Sequence, residues 1–416
     1  MDKNIFVFVD LGGESQLVGR LWTRMRRDKQ SATFEYDLQW LNRANHFSLE
    51  PALKLDPGPF HASANKPLFG AVGDSSPDRW GRALMRRAER RRAEREGIAP
   101  RTLHEVEYLL LVDDESRQGA LRFSESLDGP FLAIPGSNKI PPLIELPKLL
   151  AAVERIADDT EGEEDLKLLL APGSSLGGAR PKASVRDRNG LLSIAKFPHQ
   201  DDEIDQVRWE ALALRLAEKA GIKVPKWRIE KVIGKSVLIL ERFDRLGKER
   251  IPFLSAMSML SAHDGESHSY LEIADAIKQF GGSPKADLHE LWRRMVFNIL
   301  ISNTDDHLRN HAFLYAGIEG WRLSPAYDLN PVPTDIKPRI LTTTINEDDG
   351  TASLDIAMEV ASYFDLSLGE AKGIATEVGK SVNTWKQEAA NLDLPAKEIM
   401  RMQSAFEHKD LRESIR

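Results

Sequence analysis

Cysteine is absent from all 416 residues. Disulfides and thiolate-held metals are thereby excluded, and a reducing, cytoplasmic setting is expected. Long apolar runs are missing too. No stretch approaches the roughly 20 residues that a membrane-spanning helix needs, so no membrane partner is expected. The opening MDKNIFVFVDLGG sets Asp2, Lys3 and Asp10 around a short apolar run. It reads as a β-strand, because a signal peptide needs a longer apolar region and a cleavage site. Positive charge is not in excess: the formal net charge is −7. That argues against a chain that binds nucleic acid over its whole surface and leaves only local basic patches. There is no internal repeat and no low-complexity tail.

What is present suggests several domains, since 416 residues exceed one ordinary core. Residues 4–40 alternate apolar and polar around a Gly12-Gly13 turn, which predicts a small antiparallel sheet. Asp74, Ser75, Ser76 and Pro77 are helix-start chemistry, and the charged run PDRWGRALMRRAERRRAERE follows. Its arginines (Arg86, Arg87, Arg90, Arg91, Arg92, Arg95) alternate with alanine and glutamate. A solvated face laced with Glu–Arg pairs is one reading, and a surface for an acidic partner or nucleic acid is the other. Residues 129–142 are rich in Pro and Gly and read as a linker. Helix signals cover 143–170, and the Gly-rich APGSSLGGARPKASV follows. Strand, helix and strand come next, as LLSIAKFP, VRWEALALRLAEKAG and SVLILERFDR. The remainder is mostly helical, broken by SNTDDHLRNHAFL and by SPAYDLNPVP. The fold class expected is α+β: a small β-rich N-terminal subdomain over 1–128, then a region that the kinase resemblance given below implies is bilobal and kinase-like. Its N-lobe would span 129–245 and its mainly helical C-lobe 246–416.

SNTDDHLRNHAFL admits three readings: a metal cage, a phosphoryl-transfer loop, or a polar turn without chemistry. His307 and His311, four apart, would share a helix face, and Asp305 or Asp306 would complete a metal site. Yet Asn303-Thr304-Asp305 favours a turn, and no glutamate stands between the histidines. The phosphoryl-transfer reading rests on spacing. An Asp that orients an acceptor hydroxyl is followed five residues later by a magnesium-binding Asn, with a second metal-binding Asp on a later strand end. Asp305, Asn310 and Asp328 meet that pattern. Upstream, the small residues of Ser174 to Lys182 would let backbone N–H groups approach phosphate oxygens. Lys196 stands in an apolar strand, where an ammonium is costly without an anionic partner. Glu210, on the next helix, would steady it. Backbone groups near Glu241, Arg242 and Phe243 would meet the adenine edge, at the end of a strand running to a hinge.

Taken together, SSLGGARPK, SIAKFP, ERFDR, NTDDHLRN and YDLNPVP resemble the kinase core of the HipA family of serine/threonine kinase toxins. FEYDLQWL, PDRWGR and DDESRQGALRF are similar to that family's N-terminal subdomain. The resemblance spans nearly the whole chain. It implies ATP and Mg²⁺ as cofactors, Asp305 as catalytic base, and Asn310 and Asp328 as metal ligands. Lys196 would contact the phosphates. Gly177, Gly178, Ala179, Arg180, Pro181 and Lys182 would form the nucleotide loop, with His307 and Asn310 also counted among the nucleotide-binding residues. The family autophosphorylates a serine of that loop, which matches Ser175, with Ser174 beside it. A phosphate there would repel nucleotide by charge alone. Arg309 stands where family members often have lysine. The resemblance further implies a small helix-turn-helix antitoxin as partner, operator DNA reached through it, and a protein substrate such as an aminoacyl-tRNA synthetase. A non-catalytic co-repressor with a kinase fold and a small-molecule kinase are the alternatives.

Overall fold

The computed structural model describes residues 2–27, 29–63, 66–132, 140–173, 178 and 180–416. The chain forms two compact units that interleave in sequence. The first is residues 1–201 with 230–254, and the second is 202–229 with 255–416. This differs from three consecutive segments. The helix Gln206–Lys219, expected with the N-lobe, groups with the second unit because its apolar face is completed there. Trp209 meets Trp385 and Phe406 at 6.5 and 6.3 Å between ring centres, and donates its indole N–H to Glu398.

In the first unit the alternating N-terminal residues make an antiparallel sheet of β1 (Lys3–Leu11), β2 (Glu14–Arg26), β3 (Lys29–Tyr36), β4 (Pro59–His61) and β5 (Leu121–Ser124). Their order is β4-β3-β2-β1-β5. Apolar residues at every second position face one side, so Ile5, Val7, Val9, Leu21 and Phe34 are buried. Gly19 is required where β2 crosses β3, because a Cβ there would lie 2.2 Å from the Glu35 carbonyl oxygen.

The charged run forms the helix Arg79–Glu96, capped by Asp78 and ended by Gly97 in the left-handed conformation at φ 65°. Its Trp80, Leu84 and Met85 enter a core with Leu149, Val153 and Leu169. Val185 and Phe197, from the strands Lys182–Arg186 and Leu192–Lys196 and just beyond, close that core. The helical stretch 143–170 resolves into the helices Leu146–Ala157 and Glu163–Gly173. Most arginines of the charged helix are ion-paired. Arg82 pairs with Glu105, Arg87 with Asp159 and Glu161, Arg91 with Glu94, Arg92 with Glu89 and Glu96, and Arg95 with Glu163. The ion-paired face is therefore what the helix presents over most of its length, and Arg79, Arg86 and Arg90 are exposed without such a pair among the described residues. Of the predicted linker, residues 133–139 lie outside the described part.

The second unit is mostly helical, as expected. Its central helix, Pro284–Leu300, buries Leu288, Leu291, Trp292, Met295, Phe297 and Leu300. Trp385 and Phe406 stack nearby at 4.6 Å. The hairpin Ala312–Tyr315 and Trp321–Leu323 follows the polar loop. Among the described residues, no helix is long and apolar enough to cross a membrane.

Candidate active site

The first unit holds the lysine strand and the end of the glycine segment. Lys196 closes the strand Leu192–Lys196, half-buried, in direct register with Lys182 on the antiparallel neighbour. Two like charges side by side are unfavourable unless each finds a counter-ion. Lys182 finds Asp78: its Nζ lies 3.0 Å from Oδ2, with the side chains 3% and 7% exposed. The same aspartate accepts from the Gly81 N–H at 2.7 Å, and the Trp80 indole N–H donates to the Lys182 carbonyl at 3.0 Å. The start of the arginine helix thus docks on the strand that leaves the glycine segment. Sequence reasoning placed Lys182 in the nucleotide loop and missed Asp78. The Ser-Ser-Pro-Asp run signalled a helix cap but not a counter-ion.

Pro181 accepts from the Phe197 N–H at 3.0 Å, Arg180 is half-buried, and Gly178 sits at φ 105°, where a side chain would be strained. Ser174, Ser175, Gly177 and Ala179 lie outside the described residues. At the far end of the sheet, the Arg242 N–H donates to Leu192 O at 3.2 Å. Its guanidinium reaches inward to Asp244, Ser116 O and Arg117 O. Asp244 also accepts from the Gly119 N–H at 2.8 Å. Burial alone would raise the Asp244 carboxyl, but Arg242 and Arg245 outweigh it and hold the group well below the usual range. Arg242 therefore ties the strand end to the Ser116–Gly119 turn. Glu241 is half-buried beside it, and Phe243 stacks on Phe253.

The second unit holds the polar loop and, on its helix Gln206–Lys219, the buried Glu210. The central helix ends at Leu300, and two residues on Ser302 is buried in the left-handed conformation at φ 53°. Two ties hold that turn: Ser302 Oγ donates to Ala405 O at 2.7 Å, and Arg339 Nε donates to Ser302 Oγ at 3.0 Å. The adjacent aspartates then diverge. The Asp305 side chain is 73% exposed. That of Asp306 is 3% exposed, and its Oδ2 accepts from the Tyr270 hydroxyl and from His311 Nε2, the latter at 2.8 Å. Asn298 donates to the Tyr270 oxygen at 3.0 Å, and Asn303 to Asn298 at 3.1 Å. Burial alone would raise the Asp306 carboxyl, but His311 and the hydrogen bonds hold it below the usual range. Burial and the nearby Asp306 push the Tyr270 hydroxyl well above its own. His311 is turned to Asp306, and the stretch between His307 and His311 is a short 3-10 turn rather than the α-helix that would align the two on one face. No cluster of three or more potential metal-ligating His, Cys, Asp or Glu exists among the described residues.

Asn310, 8% exposed, donates to the Asp305 carbonyl at 3.3 Å and closes the loop. The Tyr327 hydroxyl donates to Arg309 O at 2.6 Å, so the stretches carrying Asn310 and Asp328 are pinned to each other. Asp328 lies at φ 57°, a costly conformation for a non-glycine residue and one that gathers at functional sites. Arg309 pairs with Asp264. Four buried polar atoms of this short loop, on Asn303, Thr304, His307 and His311, carry no hydrogen-bond partner among the described residues. Such orphans are rare in folded proteins and collect where a ligand or strain has a use. The oxygen donors of Asn310 and Asp328 suit Mg²⁺, which takes few protein ligands and keeps water and phosphate oxygens for the rest.

The HipA-like C-terminal domain family matches residues 174–386. The provisionally named kinase Y4mE of Sinorhizobium fredii is 24% identical over 424 residues, spanning 92% of this chain and 90% of that one. A provisionally named kinase of Haemophilus influenzae is 27% identical over 241 residues, half of this chain and 64% of its own length. The HipA protein of Shewanella oneidensis, solved with HipB and its operator DNA, is 16% identical. It covers 99% of this chain and 96% of its own, with a TM-score of 0.66, and so shares the fold. The α+β architecture with a small sheet in front is that of HipA, and the chain belongs to the HipA-like C-terminal domain family.

Proposed function

We propose that the chain is an ATP- and Mg²⁺-dependent serine/threonine protein kinase and the toxin of a toxin–antitoxin module. The observation that carries this reading is the contrast within one loop. Asp305 is exposed, its carbonyl is held by Asn310, and the stretch bearing Asp328 in a left-handed conformation is pinned alongside. Asp305 takes the proton of the acceptor hydroxyl, and Lys196 draws the donor phosphates. Asn310 and Asp328 hold Mg²⁺, which when bound neutralises phosphate charge. Lys182 steadies the strand beside Lys196 through Asp78. Ser174 or Ser175 is the site of autophosphorylation. The partner is a small helix-turn-helix antitoxin, as the HipB and operator DNA of the Shewanella complex suggest, and DNA is reached through it. The unpaired Arg79, Arg86 and Arg90 are the part of the arginine helix left for a phosphate-bearing partner. The substrate is a translation component such as an aminoacyl-tRNA synthetase.

Incubation with γ-labelled ATP and Mg²⁺ tests the chemistry. Wild type should label itself at Ser174 or Ser175, and the D305N variant should not. Labelling of D305N at the wild-type rate would remove Asp305 from the reaction.

A further inference from the structure

The segment after Asp328 carries a cation to the polar loop. Pro331, Pro333 and Pro338 rule out helix there, and the chain turns so that the Ile336 and Lys337 N–H groups both donate to Pro333 O. This turn is fastened to the loop on both sides. The Val332 N–H donates to Ser302 O at 3.2 Å. Arg339 donates to Ser302 Oγ at 3.0 Å, to Ile299 O at 3.0 Å and to Asp410 at 2.8 Å. Lys337 lies between the two fastenings. Its Nζ donates to Thr304 O at 3.1 Å and stands 3.8 Å from Asp305 Oδ1, with the side chain 41% exposed.

An ammonium has three donors. Thr304 O takes one. The contact with Asp305 is an ion pair too long for a hydrogen bond. The remaining donors have no partner among the described residues and are open to solvent. A surface lysine on a mobile stem is ordinarily a weak contributor. This one differs because its backbone is fixed by a guanidinium clamp and its head is anchored on the carbonyl that precedes the candidate base. A group within 4 Å of that carboxylate is also next to whatever Asp305 acts on.

The geometry points to Lys337 as a catalytic cation, a residue that contacts the phosphoryl group in transit. This rests on the kinase reading. The acceptor oxygen forms its bond to the γ-phosphorus as the bond from that phosphorus to the β-phosphate oxygen breaks. The hydroxyl proton passes to Asp305, and the electron pair leaves with ADP. Lys337 keeps its proton throughout. It donates to an equatorial phosphoryl oxygen, and it holds the Asp305 carboxylate in line through their ion pair. Sequence reasoning had no motif for it, since it follows Asp328 by nine residues in a proline-broken stretch.

The test compares wild type with K337M, K337R and D305N. Calorimetry measures binding of the magnesium complexes of ADP and of a non-hydrolysable ATP analogue, and γ-labelled ATP measures turnover. K337M should bind the analogue about tenfold more weakly, while its affinity for ADP stays within about twofold. Its kcat should fall on the order of a hundredfold, as for loss of one preorganised donor. K337R should recover part of both. Unchanged preference for the analogue over ADP in K337M, or an equal loss of both ligands, would overturn the assignment. Turnover by D305N at the wild-type rate would remove Asp305 as the base, and no turnover by wild type would remove the kinase reading, whereas the analogue-over-ADP preference reports on Lys337 alone.

Discussion

The two neighbouring aspartates should respond to substitution in opposite ways. In D306A the Tyr270 hydroxyl and His311 Nε2–H both lose their acceptor inside the protein, where Asp306 is 3% exposed. Each stranded buried donor costs about 1–3 kcal/mol, so the variant should be less stable by roughly 2–6 kcal/mol before any cavity contribution. That is a large share of the roughly 5–15 kcal/mol that holds a domain folded. D305A, with a side chain 73% exposed, removes an ion pair at 3.8 Å and should stay within about 0.5 kcal/mol of wild type. Urea denaturation followed by tryptophan fluorescence reads the loss of fold, with Trp209, Trp292 and Trp385 buried in the second unit and Trp40 and Trp80 in the first. The substitution Y270F supplies the other side of a cycle. It removes the donor to Asp306 and the acceptor of Asn298, and a coupling of about 0.5–3 kcal/mol with D306A is expected. If D306A matched wild type within about 0.5 kcal/mol, or D305A were the weaker fold, the division into an inner and an outer aspartate would be wrong.

Two further outcomes concern the first unit. Burial, against the Ala71 N–H bond and helped by the charge of Asp74, pushes the Glu50 carboxyl up to about 7. The folded state therefore holds a proton that the unfolded chain releases near about 4.3. The stability tied to that proton is full below this lower value and is lost as pH rises through about 7, an amount on the order of 3 kcal/mol. E50Q should match wild type near pH 4 and exceed it by up to that amount near pH 8 in denaturant titrations, and an equal difference at both pH values would refute the shift. On the arginine helix, R87A strands Glu161, whose side chain is 5% exposed, and should cost about 2–4 kcal/mol. R86A, exposed and without an ion pair, should stay within about 0.5 kcal/mol, and a thermal melt of both variants checks the contrast.

The parts of this molecule that could be read from the sequence are those whose cause is local. Period-two alternation marks β1 to β3, and helix-start residues mark the arginine helix to within two residues. An apolar run around a lone lysine marks the strand Leu192–Lys196. The residues of the polar loop were equally visible, because the Asp305–Asn310 spacing is short enough for one turn to close it. What escaped depends on pairings far apart in the chain. Lys182 reads as part of the nucleotide loop, and its ion pair with Asp78, 104 residues away, has no sign in the local sequence. The inward bonds of the Arg242 side chain to Asp244 and to Ser116 O and Arg117 O have no sign in the local sequence either.

The loop itself shows why the boundary falls there. Composition alone cannot rank Asp305 above Asp306. The spacing to Asn310 selects the first, but only Tyr270 and His311 explain the second, as an inner brace for the outer group. An exposed carboxylate is useful as a base only if its backbone cannot drift, and a buried one beside it fixes that backbone at the cost of needing every partner present. The two requirements are met by different residues from different elements, so the proposed chemistry rests on a short motif while the rigidity of the loop is spread over the fold. The clamp of Arg339 on Ser302 extends the same division, and it sets Lys337, rather than a residue of the motif, next to the exposed carboxylate of Asp305.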